Sequence, residues 1–256
     1  MCIVNKILKL IVPLPKLTEH ERYLFVSPHP DDIEVGAGAT VATLVAMGKQ
    51  VDFLICTDGR YGTSDVNLSQ EELVKIRQEE TLASAKFLGV NSVTFLPYHD
   101  CGSYTEEALM VDIAKEIARL KPDIVFCPDP QLKTECHIDH IKTGRAASYA
   151  CLRAGNVPMM AKEGLTNHPI KGIAFYYTDS PNNYVKVGKN VKKQEEALRL
   201  YKSQFPVDEN GKSDLDGILL YIKFRAIRFG LRTFKGRAEG FRTLSPTHMH
   251  CCSEEI

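Results

Sequence analysis

Five short apolar runs, rich in β-branched and aromatic residues, constrain this chain more than any other feature: residues 23–26, 51–56, 92–96, 124–127 and 173–177. Runs of this length and character suit strands covered on both faces. Stretches with helical spacing alternate with them, which predicts βαβ units and an α/β fold, a Rossmann-like three-layer α/β/α arrangement around a mostly parallel central sheet. The first helix is expected over 36–47, stopped by Gly48. Ser69 and Glu72 form a capping box that opens a second helix, closing at Gly89. Thr105 with Glu106 and Glu107 opens a third, which ends at Leu120 ahead of Pro122, and residues 139–154 make a fourth. A further strand is expected over 184–187, then helices over 189–203 and 215–234.

No linker or repeat interrupts the 256 residues, so one domain is expected over 1–256, with 1–21 as an N-terminal arm and 243–256 as a polar C-terminal tail. The apolar run 7–14 is broken by Lys9, followed by Pro15, and too short to span a bilayer; it predicts a packed arm and no membrane partner. Lysine plus arginine and aspartate plus glutamate both total 32, so no global field recruits nucleic acid, and a locally read small molecule is the expected partner. Eight cysteines without a CxxC pair predict reduced thiols and a cytoplasmic setting.

Turn-rich segments 57–68, 97–104 and 128–136 all follow strands, and in an open parallel sheet such loops gather at the carboxyl edge, where ligands bind. Two motifs fall there. His29-Pro30-Asp31-Asp32 follows the first strand and His137-Ile138-Asp139-His140 the fourth. Two imidazoles and a carboxylate with positions left for water describe a catalytic zinc site, and three ligands from this set suffice. Adjacent carboxylates rarely aim at one ion, so Asp31 and Asp32 imply a division in which one binds metal and one handles protons. His137 and His140, three apart, can share a helix face, one on the metal and the other on the oxyanion. Either motif alone is also a plausible turn with a helix cap. Their joint occurrence after strands of one sheet favours the metal site.

Several features are read as structural. Gly36-Ala37-Gly38 lacks the third glycine of a dinucleotide loop and is expected to serve close helix packing. Cys136 is expected to pack rather than ligate. His248, His250, Cys251 and Cys252 resemble a metal-friendly group on a frayed end, and Asp58 a support to the site.

The residues resemble the zinc-dependent N-acetylglucosaminyl deacetylases of the LmbE/PIG-L type. Besides the two motifs, the likeness includes Thr57-Asp58-Gly59, Arg77-Gln78-Glu79-Glu80 with Leu88-Gly89-Val90, Tyr98-His99-Asp100, Pro128-Asp129-Pro130 and Ala238-Glu239-Gly240-Phe241-Arg242, about residues 22 to 242 in all. Segments 58–65, 175–178 and 202–206 look most like the diacetylchitobiose deacetylase branch. The resemblance implies one Zn2+ per subunit on His29, Asp32 and His140, with Asp31 as general base. It further implies that His137 supports the oxyanion and protonates the amine, that Asp139 orients His137, and that Arg77 and Asp100 hold sugar hydroxyls. His250 is expected near the cleft of its own or an adjacent subunit, since members of the family often form homo-oligomers. The implied activity is removal of acetyl from an N-acetylglucosamine-containing small molecule. Deacetylation of a glucosaminyl thiol-cofactor precursor is the near alternative, and an Fe(II) facial-triad oxygenase or a non-catalytic sugar-binding module are alternatives of other classes.

Overall fold

The structure is a computed structural model and describes residues 10–63 and 65–251. The elements in chain order are β1 (Arg22–Ser27), α1 (Asp32–Ala46), β2 (Gln50–Thr57), α2 (Gln70–Leu88), β3 (Ser92–Tyr98), α3 (Glu106–Leu120), β4 (Ile124–Pro128), α4 (Ile138–Ala154), α5 (Val157–Lys162), β5 (Gly172–Tyr176), β6 (Asn183–Lys186), α6 (Val191–Leu198), α7 (Asp214–Thr233) and β7 (Ala238–Leu244). The strands form one seven-stranded sheet in the order β3-β2-β1-β4-β5-β7-β6, mostly parallel and flanked by helices, as the alternating pattern predicts. Contacts divide the chain into two compact units, one of residues 25–104 and 184–239, the other of 1–24, 105–183 and 240–256.

In the unit of residues 25–104 and 184–239, β2 pairs parallel with β3 from Asp52 opposite Ser92 to Ile55 opposite Phe95, and the register shifts before Thr57 opposite Tyr98. β3 ends the sheet, and an edge strand tolerates Pro97, which has no N–H for a ladder. Ser69 caps α2 with the reciprocal Glu72 bonds of a capping box, and Gly89 closes it in the left-handed conformation, both as expected. Helix α1 begins four residues earlier than its apolar spacing indicates, because the turn at Asp31 feeds straight into it. The Gly36-Ala37-Gly38 stretch does serve close packing, but the neighbour is α6. A Cβ on Gly38 would lie 2.9 Å from Gln194 Cγ, and Gln194 Nε2 donates to the carbonyl of Glu34 at 2.7 Å. Helix α6 is half the expected 189–203, with a 3-10 turn before it.

In the other unit, β4 pairs parallel with β5 from Ile124 opposite Gly172 to Pro128 opposite Tyr176, and β5 pairs antiparallel with β7, Ile173 opposite Leu244. Tyr23, Phe126 and Phe241 meet in series through its core, the first pair tilted and the second edge-to-face, with ring centroids 6.4 and 5.1 Å apart. The arm is docked where it is described: Asn183 Nδ2 donates to the carbonyl of Pro15 at 2.9 Å, and Leu17 is buried. Residues 1–9 of the arm, which include part of the apolar run, lie outside the described residues. The expected tail at 243 is a correction. Thr243 belongs to β7 and is fully buried, and His248 is buried with Nδ1 2.8 Å from Ser245 Oγ. Polar residues there misled the reading because β7 alternates inward and outward, so half of it reads as surface. Cys252 lies outside the described residues. No helix among the described residues is long and apolar enough to cross a membrane.

Candidate active site

The first cluster is built by the loop between β1 and α1. Ser27 Oγ donates to the carbonyl of His29 at 2.6 Å, and Thr57, at the end of β2, donates from both N–H and Oγ1 to the carbonyl of Pro28 at 2.8 Å. These bonds hold the loop open around a left-handed residue, Asp31, with φ 93°. A non-glycine residue there is strained and is worth inspecting for a functional reason. The twist directs Asp31 and Asp32 to different partners. Asp32 Oδ2 lies 3.1 Å from His29 Nδ1 and accepts the His29 N–H at 3.1 Å. Asp31 Oδ2 instead accepts from Arg77 at 3.1 Å.

His29 Nε2 faces Asp100 Oδ1 at 3.2 Å, so a buried imidazole sits between two buried carboxylates. A neutral imidazole has one N–H and satisfies one of them; the other contact calls for a second proton or a cation. The donor chemistry therefore fits a metal ion, and His29 and Asp100 are among the residues whose ligand atoms could share one. Asp100 is itself placed by the Tyr61 N–H on Oδ2 at 3.3 Å and by its own N–H on Asp58 Oδ1 at 3.1 Å. Asp58 supports the cluster, as anticipated, and is held by Arg60 at 2.7 Å.

Arg77 reaches this cluster from α2, buried at 3 % exposure. Its guanidinium donates to the carbonyls of Gly59 at 2.9 Å and Pro30 at 2.7 Å, besides Asp31. Cβ atoms at Gly59 and Gly62 would fall 2.7 and 1.9 Å from Nη1, so both glycines make room for it. Burial pushes the Asp31 carboxyl up, the Arg77 charge pulls it back and Asp32 raises it again, leaving it at about 7. Breaking a buried pair by removing one partner commonly costs ~3–5 kcal/mol. Arg77→Ala should lower the unfolding free energy by about that much, read by urea titration. A loss below about 1 kcal/mol would mean that the guanidinium is not holding the turn.

The second cluster belongs to the other unit and starts α4. His137 is its N-cap, and its Nδ1 accepts the Asp139 N–H at 3.3 Å. That contact leaves the ring proton on Nε2. Glu135 fixes the pair of histidines, accepting the His137 N–H on Oε1 at 2.8 Å and facing His140 Nδ1 with Oε2 at 2.9 Å. A carboxylate behind Nδ1 is the usual support of a metal-ligating imidazole, because it fixes the tautomer that exposes Nε2. Tyr177 stacks on His140 at 5.7 Å with planes 4° apart. Asp139 is fully buried, and the rings of His137 and His140 are 5.1 Å apart. Neither Glu135 nor Tyr177 is singled out by the sequence reading; a carboxylate two residues before the histidine motif was the available signal.

His250 is exposed and borders a cavity of about 420 Å³ in this same unit, with Gln131, Asn182, Arg242 and His248 on its wall. Arg242 clasps Asp129 through two bonds of 2.8 and 2.6 Å and covers the Phe175 ring at 4.1 Å. Burial raises the Asp129 carboxyl, but the Arg242 bonds outweigh it and hold the group below its ordinary value. Cys136 is exposed, and its Sγ meets the Thr134 carbonyl at 3.7 Å.

The model of the PIG-L family, described as GlcNAc-PI de-N-acetylase, matches residues 24–151, a span that contains both clusters' motifs. Diacetylchitobiose deacetylase of Thermococcus kodakarensis is 35% identical over 91% of this chain and 86% of its own length. The solved N,N'-diacetylchitobiose deacetylase of Pyrococcus horikoshii is 30% identical, with a TM-score of 0.88 over 99% of this chain and 96% of that one. A 1D-myo-inositol 2-acetamido-2-deoxy-alpha-D-glucopyranoside deacetylase of a Mycobacterium species is 27% identical over 83% of each chain.

Proposed function

From the premise that the chain belongs to the PIG-L family, the GlcNAc-PI de-N-acetylases, we propose that it is a zinc-dependent N-deacetylase acting on an N-acetylglucosamine-containing small molecule, diacetylchitobiose-like in the first instance. The observation that carries the proposal is the left-handed turn at Asp31, which sends two adjacent carboxylates to different partners, Asp32 to His29 and Asp31 to Arg77, so that one joins the metal donors and the other is kept for the proton.

His29, Asp32 and His140 would hold the ion. When bound, it supplies Lewis-acid polarisation of the amide carbonyl and acidifies the attacking water. Asp31 would take the proton from that water, being the carboxylate of the pair that the turn keeps off the metal donors. His137 would donate a hydrogen bond from Nε2 to the developing oxyanion and pass that proton to the leaving amine, with the proton that Asp31 took from the water replacing it, so that both side chains return to their starting states. Asp139 supports His137 from the first turn of α4, and Glu135 orients His140. Arg77 is buried under the Asp31 turn with its guanidinium engaged there, so it would hold that turn rather than a sugar hydroxyl, and Asp100, which stands at His29, is kept as the sugar contact of the two. His250 belongs to the sugar side of the proposal through the cavity it borders. A cytoplasmic setting is supported by the described cysteines, which are thiols with no disulfide among them.

Acetate release measured across N-acetylglucosamine, its β-1,4 dimer, and glucosaminyl-malate and inositol conjugates tests the reading. The dimer should be hydrolysed fastest. Preference for an inositol or malate conjugate would move the substrate to the thiol-cofactor precursors. Absence of acetate from every substrate with the zinc-loaded protein would refute the deacetylase, and oxygen consumption by an Fe(II)-loaded sample would put an oxygenase in its place.

A further inference from the structure

Tyr177, the residue that follows β5, adopts the left-handed conformation, φ 52°, where glycine is the usual residue. Asp129, just beyond β4, holds it there from both flanks. The Asp129 N–H donates to the Tyr176 carbonyl at 2.9 Å, and the Asp129 carboxylate accepts from the Thr178 hydroxyl. Arg242 clasps that same carboxylate and covers Phe175, so the end of β5 is gripped on every side. Strain of this kind persists only where the surroundings over-determine it, and it gathers at functional sites. What the turn achieves is the placement of one ring. Tyr177 meets the buried Tyr176 edge-on, at 5.0 Å and 77°, and lies parallel to the His140 imidazole, with planes 4° and centroids 5.7 Å apart, an offset stack. Helix α4 brings His140 to that position by close packing. One turn after His140, a Cβ on Gly144 would lie 2.6 Å from the Pro128 carbonyl oxygen.

We propose that Tyr177 is a positioning residue that sets the plane of the His140 ring, and that Asp129 and Arg242 are the clamp that keeps Tyr177 in its strained conformation. The inference rests on the reading of His140 as a metal ligand. An imidazole donates through a lone pair that lies in the plane of its ring, so a ligand histidine needs both a fixed point and a fixed plane. Glu135 supplies the point, with Oε2 at 2.9 Å from Nδ1. A single contact leaves the ring able to pivot about it, since the torsion that turns an imidazole has broad minima. A parallel aromatic face removes the pivot. The stack uses the face of the tyrosine ring and not its hydroxyl, so phenylalanine should serve as well.

Zinc affinity of the full chain, measured by competition with a chromophoric chelator, separates this role from ordinary packing. Tyr177→Phe should match the wild type within about 2-fold, whereas Tyr177→Ala and Tyr177→Gly should each weaken zinc by about 3–10-fold, the worth of one aromatic pair. In Co2+-loaded protein the visible absorption of Tyr177→Gly should differ from that of the wild type, and that of Tyr177→Phe should not. The clamp is read without metal: in chelated protein Tyr177→Gly should unfold at a higher urea concentration than Tyr177→Ala, because only glycine adopts the left-handed conformation freely. Wild-type zinc affinity in both Tyr177→Ala and Tyr177→Gly overturns the positioning role, and a loss in Tyr177→Phe as large as in Tyr177→Ala overturns the stack as its basis. Equal or greater stability of Tyr177→Ala over Tyr177→Gly overturns the strain. Failure of the underlying reading looks different, because His140→Ala would then keep its zinc.

Discussion

Asp32→Ala and His140→Ala each lose stoichiometric zinc and with it essentially all deacetylation, measured by metal analysis of the gel-filtered protein alongside acetate release. The effect is large because three protein ligands are the minimum that holds such an ion, and losing one leaves the remaining donors to bind too weakly. Removal of zinc from the wild type with a chelator should match either variant, and readdition should rescue the wild type alone. Glu135→Gln gives a graded case: His140 Nδ1 keeps a hydrogen-bond acceptor but loses the charge behind it. Support of this kind is worth about 10–100-fold in metal affinity. Full zinc occupancy in both alanine variants would remove Asp32 and His140 from the metal.

Asp31→Asn keeps zinc while deacetylation falls by about 10²–10⁴-fold, the ordinary worth of a general base. The same substitution has a stability signature that a purely catalytic test lacks. In the metal-free protein the folded-state value of about 7 stands above the ordinary 3.8, because burial disfavours the charge. The folded state therefore holds the proton more tightly than the unfolded one. This contribution is complete below pH ~4 and disappears as the pH climbs through about 7, on the order of 4 kcal/mol across the window. Burial also raises the Glu34 and Glu239 carboxyls, so these groups too hold a proton more tightly in the folded state. The amide of the Asp31→Asn variant cannot ionise, and chemical denaturation of chelated protein between pH 4 and 8 should show a shallower decline in that variant. Near-normal turnover would hand the base to another residue, with Asp139 next; an unchanged pH slope would mean that Asp31 is already ionised in the fold.

Much of this was legible in the sequence because it is local. Strands of four to eight apolar residues, the Ser69 capping box and the Gly89 stop depend on neighbours in the chain, and they lie where the pattern puts them. The two histidine motifs are equally local: each needs only a strand before it and a helix after it. What escaped the reading depends on partners distant in sequence. Arg77 looks like any arginine on an amphipathic helix until the turn at Pro30 and the glycines at 59 and 62 close around it. Strand β7 is half polar, and only its pairing with β5 shows that Thr243 faces inward.

The sequence by itself determined the α/β class, the family and the residue types that can hold a metal, since spacing and side-chain chemistry are properties of the chain alone. Tertiary structure decided which partner each of those residues keeps. Asp31 and Asp32 are adjacent and chemically identical; the left-handed backbone at Asp31 sends one to Arg77 and the other to His29, and burial lifts the first towards neutrality. Solvent exclusion and long-range hydrogen bonds have no local signature, so the difference between a ligand and a base appears only when the chain is folded.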